Sequence, residues 1–221
     1  ELAREQAGLD GGNGHNVLAA FRNPRVLLLG ALGFVLIAAI TTFILSAPLI
    51  LAGATGLGIA QVGYLVSAGG LIGAGVMLFA GDYADRRGDR FLNAFWYSVV
   101  LAGAFLTILL APSPAIVMAA YIAFAAACFT IPMLTSSGWA EILSVRELAV
   151  GAAAINTMSQ IGAFLAPFAW GAARDATGSF DAGLAGLVAL AVVTAALILV
   201  IRRGVRSRRV APVPLILSPN A

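Results

Sequence analysis

Lysine is absent from this chain, cysteine and histidine occur once each, and only 10% of the 221 residues carry charge. Soluble domains carry roughly 25%, so an ordinary soluble fold is excluded first. The single cysteine, Cys128, rules out an intramolecular disulfide, and its place inside an apolar run leaves no expectation of redox chemistry. The single histidine, His15, stands in a Gly/Asn-rich polar leader and reads as a solvated loop residue. Histidine-dependent triads, HExxH runs, Cys/His clusters and paired aspartates inside an apolar stretch are all missing. No enzymatic activity, catalytic residue, metal site or cofactor is therefore expected. The first 25 residues carry charge and lack an apolar core, so they do not read as a signal peptide.

What is present is hydrophobic. Apolar residues make up 61% of the chain and mean hydropathy is +0.97, the composition of an integral membrane protein. Charges divide the chain into uncharged runs of 56 residues (26–81), 50 (91–140), 26 (148–173) and 20 (182–201). A helix crosses a bilayer core of ~30 Å with about 20 residues at 1.5 Å each. The two shorter runs are one span each. The two longer ones must fold back once, at "GATGLG" (53–58) and "APSP" (111–114). The pattern predicts an all-α integral membrane fold with six transmembrane helices, near 26–51, 60–80, 92–111, 114–137, 149–173 and 182–201. Asn23-Pro24 supplies an N-cap and first helical residue for the first.

Twelve of the 13 arginines fall on one side of these spans and only Arg174 on the other. By the positive-inside rule, both termini and the charged segment 81–90 are expected in the cytoplasm. Residues 1–25 then form a cytoplasmic leader, 26–201 the transmembrane domain and 202–221 a cytoplasmic basic tail. The tail sequence "RRGVRSRR" reads as a topology anchor that meets anionic lipid, not nucleic acid. Trp96, Tyr97 and Trp139 near span ends read as interfacial anchors, and Trp170 as a counterpart on the far side.

The sequence also repeats at an offset of about 90 positions. Gly81-x-x-x-Asp85-x-x-Gly88 ends the second helix, and Gly171-x-x-x-Asp175-x-x-Gly178 ends the fifth. Three helices reverse the direction of the next three, so the two copies are inverted. Inverted three-plus-three repeats are a building rule of secondary transporters.

The stretch "GDYADRRGDR" (81–90) gathers six charges into ten positions. Gly81 and Gly88 permit close approach and a tight turn. Asp85 is suited to capping a neighbouring helix, and Arg86 and Arg90 to bridging carboxylates or carbonyls on another element. Its pattern, Gly81, Asp85, Arg86, Gly88 and Arg90, resembles the G-x-x-x-D-R-x-G-x-R loop signature of the major facilitator superfamily. That resemblance implies half of a twelve-helix fold, helices seven to twelve, with the five residues acting as a conformational latch. The bland alternative is a solvated positive-inside loop. Two further stretches, "ATGLGIAQVGYLVSAGGLIGAGVMLFAGDYADRRGDR" and "AINTMSQIGAFLAPFAWGAARDATGSF", together with "CFTIP" (128–132), resemble the anion:cation symporter branch of tartrate, phthalate and sugar-acid carriers. The likeness covers roughly residues 22–201. It departs at Gln160, where that branch usually carries a second Asn, and in a longer loop before the fifth helix.

No charge falls inside any span, so this half supplies no titrating carboxylate at depth. Asn156 and Gln160 share one face of the fifth helix, roughly 10 and 16 Å from its expected start. The resemblance implies that Asn156 contacts substrate; the alternative for both is interhelical hydrogen bonding, worth ~0.6 kcal/mol on average. Thr41, Tyr64 and Thr130 are further candidates, with hydroxyl-to-backbone bonding as the alternative for each. Gly69 and Gly73 form a GxxxG packing pair. The resemblance implies secondary transport of a small organic anion, with protons as coupling ion. The expected partners are the lipid bilayer of a bacterial inner membrane and a six-helix half preceding Glu1. The alternative is a standalone six-helix membrane protein, either a homodimer or a non-transporting assembly or sensor partner.

Overall fold

The computed structural model describes residues 20–110 and 113–210. Most of the expected leader (1–19), the end of the tail (211–221) and two residues of the "APSP" turn lie outside them. Six helices follow in order: α1 (Pro24–Thr55), α2 (Ile59–Arg87), α3 (Arg90–Leu110), α4 (Pro114–Ser137), α5 (Val145–Thr177) and α6 (Asp181–Val210). One 3-10 turn, Trp139–Glu141, sits between α4 and α5. All six helices are long and apolar enough to cross a membrane.

Local sequence explains the ends. Asn23 caps α1, its side chain accepting from the Arg25 N–H at 3.0 Å, with Pro24 in the first turn. Gly56 closes α1 in the left-handed region (φ 70°), which a Cβ disfavours, and Gly58 opens α2. Ser144 and Glu147 form a reciprocal capping box at the start of α5. The helices overrun the uncharged runs, because a helix continues into the interface once its charges reach water. The segment expected as a charged loop is thus mostly helix: Gly81–Arg87 are the last two turns of α2. Likewise residues 202–210 continue α6.

Packing reveals the inverted repeat. α1 packs on α5 and α4 on α2; α3 packs on α4 and α6 on α1; α3 and α6 pack on each other. Exchanging the first three helices for the last three turns each of these pairs into another in the set. The closest approaches obey the same exchange. At Gly73 of α2 an added Cβ would strike the Ala125 carbonyl of α4, and at Gly162 of α5 it would strike the Phe34 carbonyl of α1. The glycines are 89 positions apart and the carbonyls 91. Both motif copies end alike: Gly88 (φ 67°) and Gly178 (φ 69°) cap α2 and α5, each N–H donating to a carbonyl four residues back at 2.8 Å.

The centre of the bundle is a Phe43–Phe105–Phe124 cluster from α1, α3 and α4, with ring centroids 4.5–5.7 Å apart. Trp170 corrects the sequence expectation. It is only 9% exposed and stacks on Phe180, with Gly183 making room for the indole, so it joins α5 to α6 and does not anchor at an interface. Arg174, the lone arginine of its side, lies 4.6 Å over the same Phe180 ring.

Candidate functional site

Two regions carry the polar groups that packing leaves available. The first is the α2–α3 corner. Gly88 ends α2, and Asp89 begins α3 by accepting the Leu92 N–H at 2.9 Å. Helix capping therefore falls to Asp89. The expected capping residue, Asp85, accepts from Arg90 instead, at 2.8 and 3.1 Å. Arg90 reaches across to the end of α4, donating to the Ser137 carbonyl at 3.1 Å and approaching Glu141 at 3.9 Å. Arg86 reaches no other element among the described residues. Its guanidinium pairs with Asp82 one turn back, and its side chain is 77% exposed. Gly81 lies beside the flexible end of Met133, a contact that an added Cβ would make at 3.3 Å.

Asp89 has a second role. Its carboxylate takes Nε and Nη2 of Arg202 at 2.9 and 2.7 Å, tying the corner to α6. Asp89, Glu141 and Arg202 were not among the residues singled out from the sequence. For Asp89 a signal existed, an aspartate directly before an apolar helix. For Arg202 there was none, because its partner is 113 positions away.

The second region is the exposed stripe of α5. Gly30 and Gly33 of α1 take up Met158 and Ser159, and Gly162 meets the Phe34 backbone. That seam turns Asn156 and Gln160 away from α1, onto a face they share with Phe164 and Phe168, whose rings lie 5.0 Å apart. Because α5 begins at Val145, they stand about 16 and 22 Å along a 33-residue helix, close to its middle. Neither side chain has a hydrogen-bond partner among the described residues.

Tyr64 is 77% exposed on α2. Since α2 packs on α4 and α5 on α1, Tyr64 and Asn156 stand on helices that share no substantial packing. Thr41 is half-buried on α1. Thr130 is completely buried in α4 and its hydroxyl has no partner among the described residues, as is true of Thr42 on α1, 88 positions earlier. Four other buried hydroxyls, on Ser98, Thr135, Ser159 and Thr194, donate to carbonyls of their own helices. The structure thus brings Asn156 and Gln160 together, while Tyr64, Thr41 and Thr130 occupy separate positions. Among the described residues no group of three or more His, Cys, Asp or Glu is arranged to hold a metal ion.

Comparison with known proteins follows the same lines. The Major Facilitator Superfamily profile matches residues 3–167. A protein of Agrobacterium vitis named "Putative tartrate transporter" is 28% identical over 201 residues, 90% of this chain and 44% of its own length. A second of that name from the same organism is 29% identical over 191 residues, 86% of this chain and 43% of its own. A "Quinolone resistance transporter" of Acinetobacter baumannii is 29% identical over 186 residues, 83% of this chain and 42% of its own. The chain spans less than half the length of these relatives.

Proposed function

The chain belongs to the Major Facilitator Superfamily, a family of transporters and not of enzymes, and on that premise we propose that it is the carboxyl-terminal half of a secondary transporter for a small organic anion. The observation that carries this reading is the α5 stripe. Asn156 and Gln160 are amide side chains near the middle of a membrane-length helix, exposed and unpartnered within the described chain. Facing lipid, they would be costly; facing a water-filled path between two halves, they are donors and acceptors for a carboxylate. Phe164 and Phe168 continue the stripe as an apolar wall.

In this reading the preceding six-helix half covers α2 and α5, and rocking of the two halves alternates access to the site. Asn156 and Gln160 contact the anion, with Thr41 and Tyr64 approaching from α1 and α2. Thr130 joins them only on a helix movement that uncovers it. The α2–α3 corner, Gly81 through Arg90, is a cytoplasmic latch whose Arg90 contacts with α4 form in one state and break in the other. Coupling is to protons, and the titrating carboxylate lies in the other half. The names of the tartrate relatives favour a hydroxylated dicarboxylate over an aromatic acid.

The test is uptake into proteoliposomes of the full-length protein, with labelled tartrate, phthalate, a sugar acid and a quinolone, with and without a pH gradient. Gradient-stimulated uptake of one organic anion is expected. Movement of the quinolone alone would overturn the substrate class, and gradient-independent uptake would overturn proton coupling. An antibody raised against the tail should detect a band near twice 22.5 kDa in native membranes. A band near 22.5 kDa would point to the homodimeric or non-transporting alternative.

A further inference from the structure

Two cavities adjoin near the end of α6, beside the α2–α3 corner. One, of about 350 Å³, is lined by Arg87, Asp89, Arg90, Glu141, Arg202 and Arg206 among others. The other, of about 90 Å³, is a mostly apolar slot between α1 and α6, lined by Leu28, Leu29, Val200, Ile201 and Gly204 together with the charged Arg25 and Glu141. Glu141 and Val205 line both, so the polar cavity and the slot are neighbours.

The charge of the polar cavity is only partly satisfied within the protein. Arg202 is committed to Asp89, and Arg90 to Asp85 and the Ser137 carbonyl. Among the described residues Arg87 has only the face of the Tyr83 ring, 4.9 Å away. Arg206 makes no ion pair or hydrogen bond with any described residue. Two guanidiniums therefore line one cavity without a carboxylate of their own among the described residues. A guanidinium fork matches the oxygens of a phosphate, and basic pockets between transmembrane helices at a membrane surface take anionic headgroups. Free phosphate has the same oxygens but nothing to place in the apolar slot.

We propose that these adjoining cavities form a binding site for an anionic phospholipid, with the phosphate held between Arg87 and Arg206 and an acyl chain lying along the slot past Gly204. The bound lipid links the end of α2 to the end of α6, alongside the Asp89–Arg202 pair. It thereby stiffens the corner assigned above to the latch, though the site stands whether or not that assignment holds.

The experiment titrates the full-length protein in detergent with dioleoyl phosphatidylglycerol, dioleoyl phosphatidylcholine or inorganic phosphate. Retained lipid is read by native mass spectrometry and stabilisation by melting temperature. Phosphatidylglycerol is expected to be retained and to raise the melting temperature, while the other two do neither. The double variant R87Q/R206Q should bind phosphatidylglycerol about thirtyfold more weakly, the loss of two headgroup charge contacts. Arg203→Gln, which removes a charge lining neither cavity, should bind it normally. Gly204→Leu tests the slot without threatening the fold, since an added Cβ there meets nothing within 4 Å. It should weaken phosphatidylglycerol binding while leaving the lipid-free melting temperature unchanged. Equal retention of phosphatidylcholine, or equal damage by Arg203→Gln, would reduce the site to general surface charge and overturn it. Stabilisation by inorganic phosphate alone, or no effect of Gly204→Leu, would overturn the lipid as occupant.

Discussion

Replacing Gly73 by alanine adds one methyl group where α2 crosses α4. The new Cβ would lie 2.6 Å from the Ala125 carbonyl oxygen, 2.9 Å from its carbon and 2.7 Å from the Phe129 ring. Ordinary contact begins at 3.4 Å, so the helices must separate by about 0.8 Å at that point. Two of the three obstacles are backbone, which no rotamer change relieves. Such overpacking costs about 1–3 kcal/mol. Alanine also gains about 0.5–1 kcal/mol over glycine inside a helix, which obscures the comparison with wild type. Gly70→Ala removes that ambiguity. It lies on the same helix, gains the same propensity, and its Cβ meets nothing within 4 Å. The difference between the two variants is therefore the strain alone. On α5 the pair Gly162→Ala and Gly171→Ala repeats the comparison, because Gly162 faces the Phe34 carbonyl and Gly171 faces open space. Thermal and denaturant melting of the full-length protein should place both close-contact variants below their controls, by a similar amount. A Gly73→Ala protein as stable as Gly70→Ala would refute the close crossing. Unequal losses on α2 and α5 would refute its equivalence in the two repeats.

Arg90→Ala should slow transport, by up to about fivefold if its part-exposed contacts are worth about 1 kcal/mol. Arg86→Ala, whose partner is on its own helix, should do less in the same proteoliposome assay; the reverse order would remove Arg90 from the latch. Asp89→Ala should lower stability by about 1 kcal/mol for the lost cap, plus the Arg202 pair, whereas Asp89→Asn should lose only the pair. Equal melting temperatures for these two variants would show that Asp89 does not cap α3. Asn156→Ala should weaken substrate affinity while Thr194→Ala, whose buried hydroxyl bonds the Leu190 carbonyl, should leave it unchanged. Equal effects in a binding titration would cancel the assignment of Asn156. Thr130→Val removes a buried hydroxyl that has no partner among the described residues, so stability should hold or rise, by at most about 1–3 kcal/mol. A clear loss of substrate affinity in that variant would instead bring Thr130 into the site.

The α2–α3 corner illustrates how far local pattern reaches. "GDYADRRGDR" marked Gly81 and Gly88 as places for close approach and a tight turn, and Gly88 is the left-handed residue that ends α2. It did not reveal that Arg90 is the residue that leaves its own helix and Arg86 the one that stays. That choice depends on where the end of α4 lies, and Ser137 is 47 positions away. Trp170 shows the same limit. An indole near the end of a span looks like an interfacial anchor until the packing of α6 covers it. Thr130 and Thr41 are alike as hydroxyls on apolar helices, yet one is fully buried and the other only half.

Six spans, their breaks at Gly56–Gly58 and before Pro114, and the 90-residue repeat were legible from the chain alone. Their cause is one-dimensional: bilayer thickness sets the length of an apolar run, charges stop it, and Pro and Gly interrupt it. Local chemistry likewise made the Asn23 cap readable. Which faces of the six helices meet was not readable, because helices apolar all round carry no periodic stripe to orient them. Small residues decide it through contact between distant segments: Gly73 against Ala125, Gly162 against Phe34, Gly30 and Gly33 against Met158 and Ser159. Those seams turn Asn156 and Gln160 outward and bring Arg87 and Arg206 to one cavity, and only the folded bundle contains them.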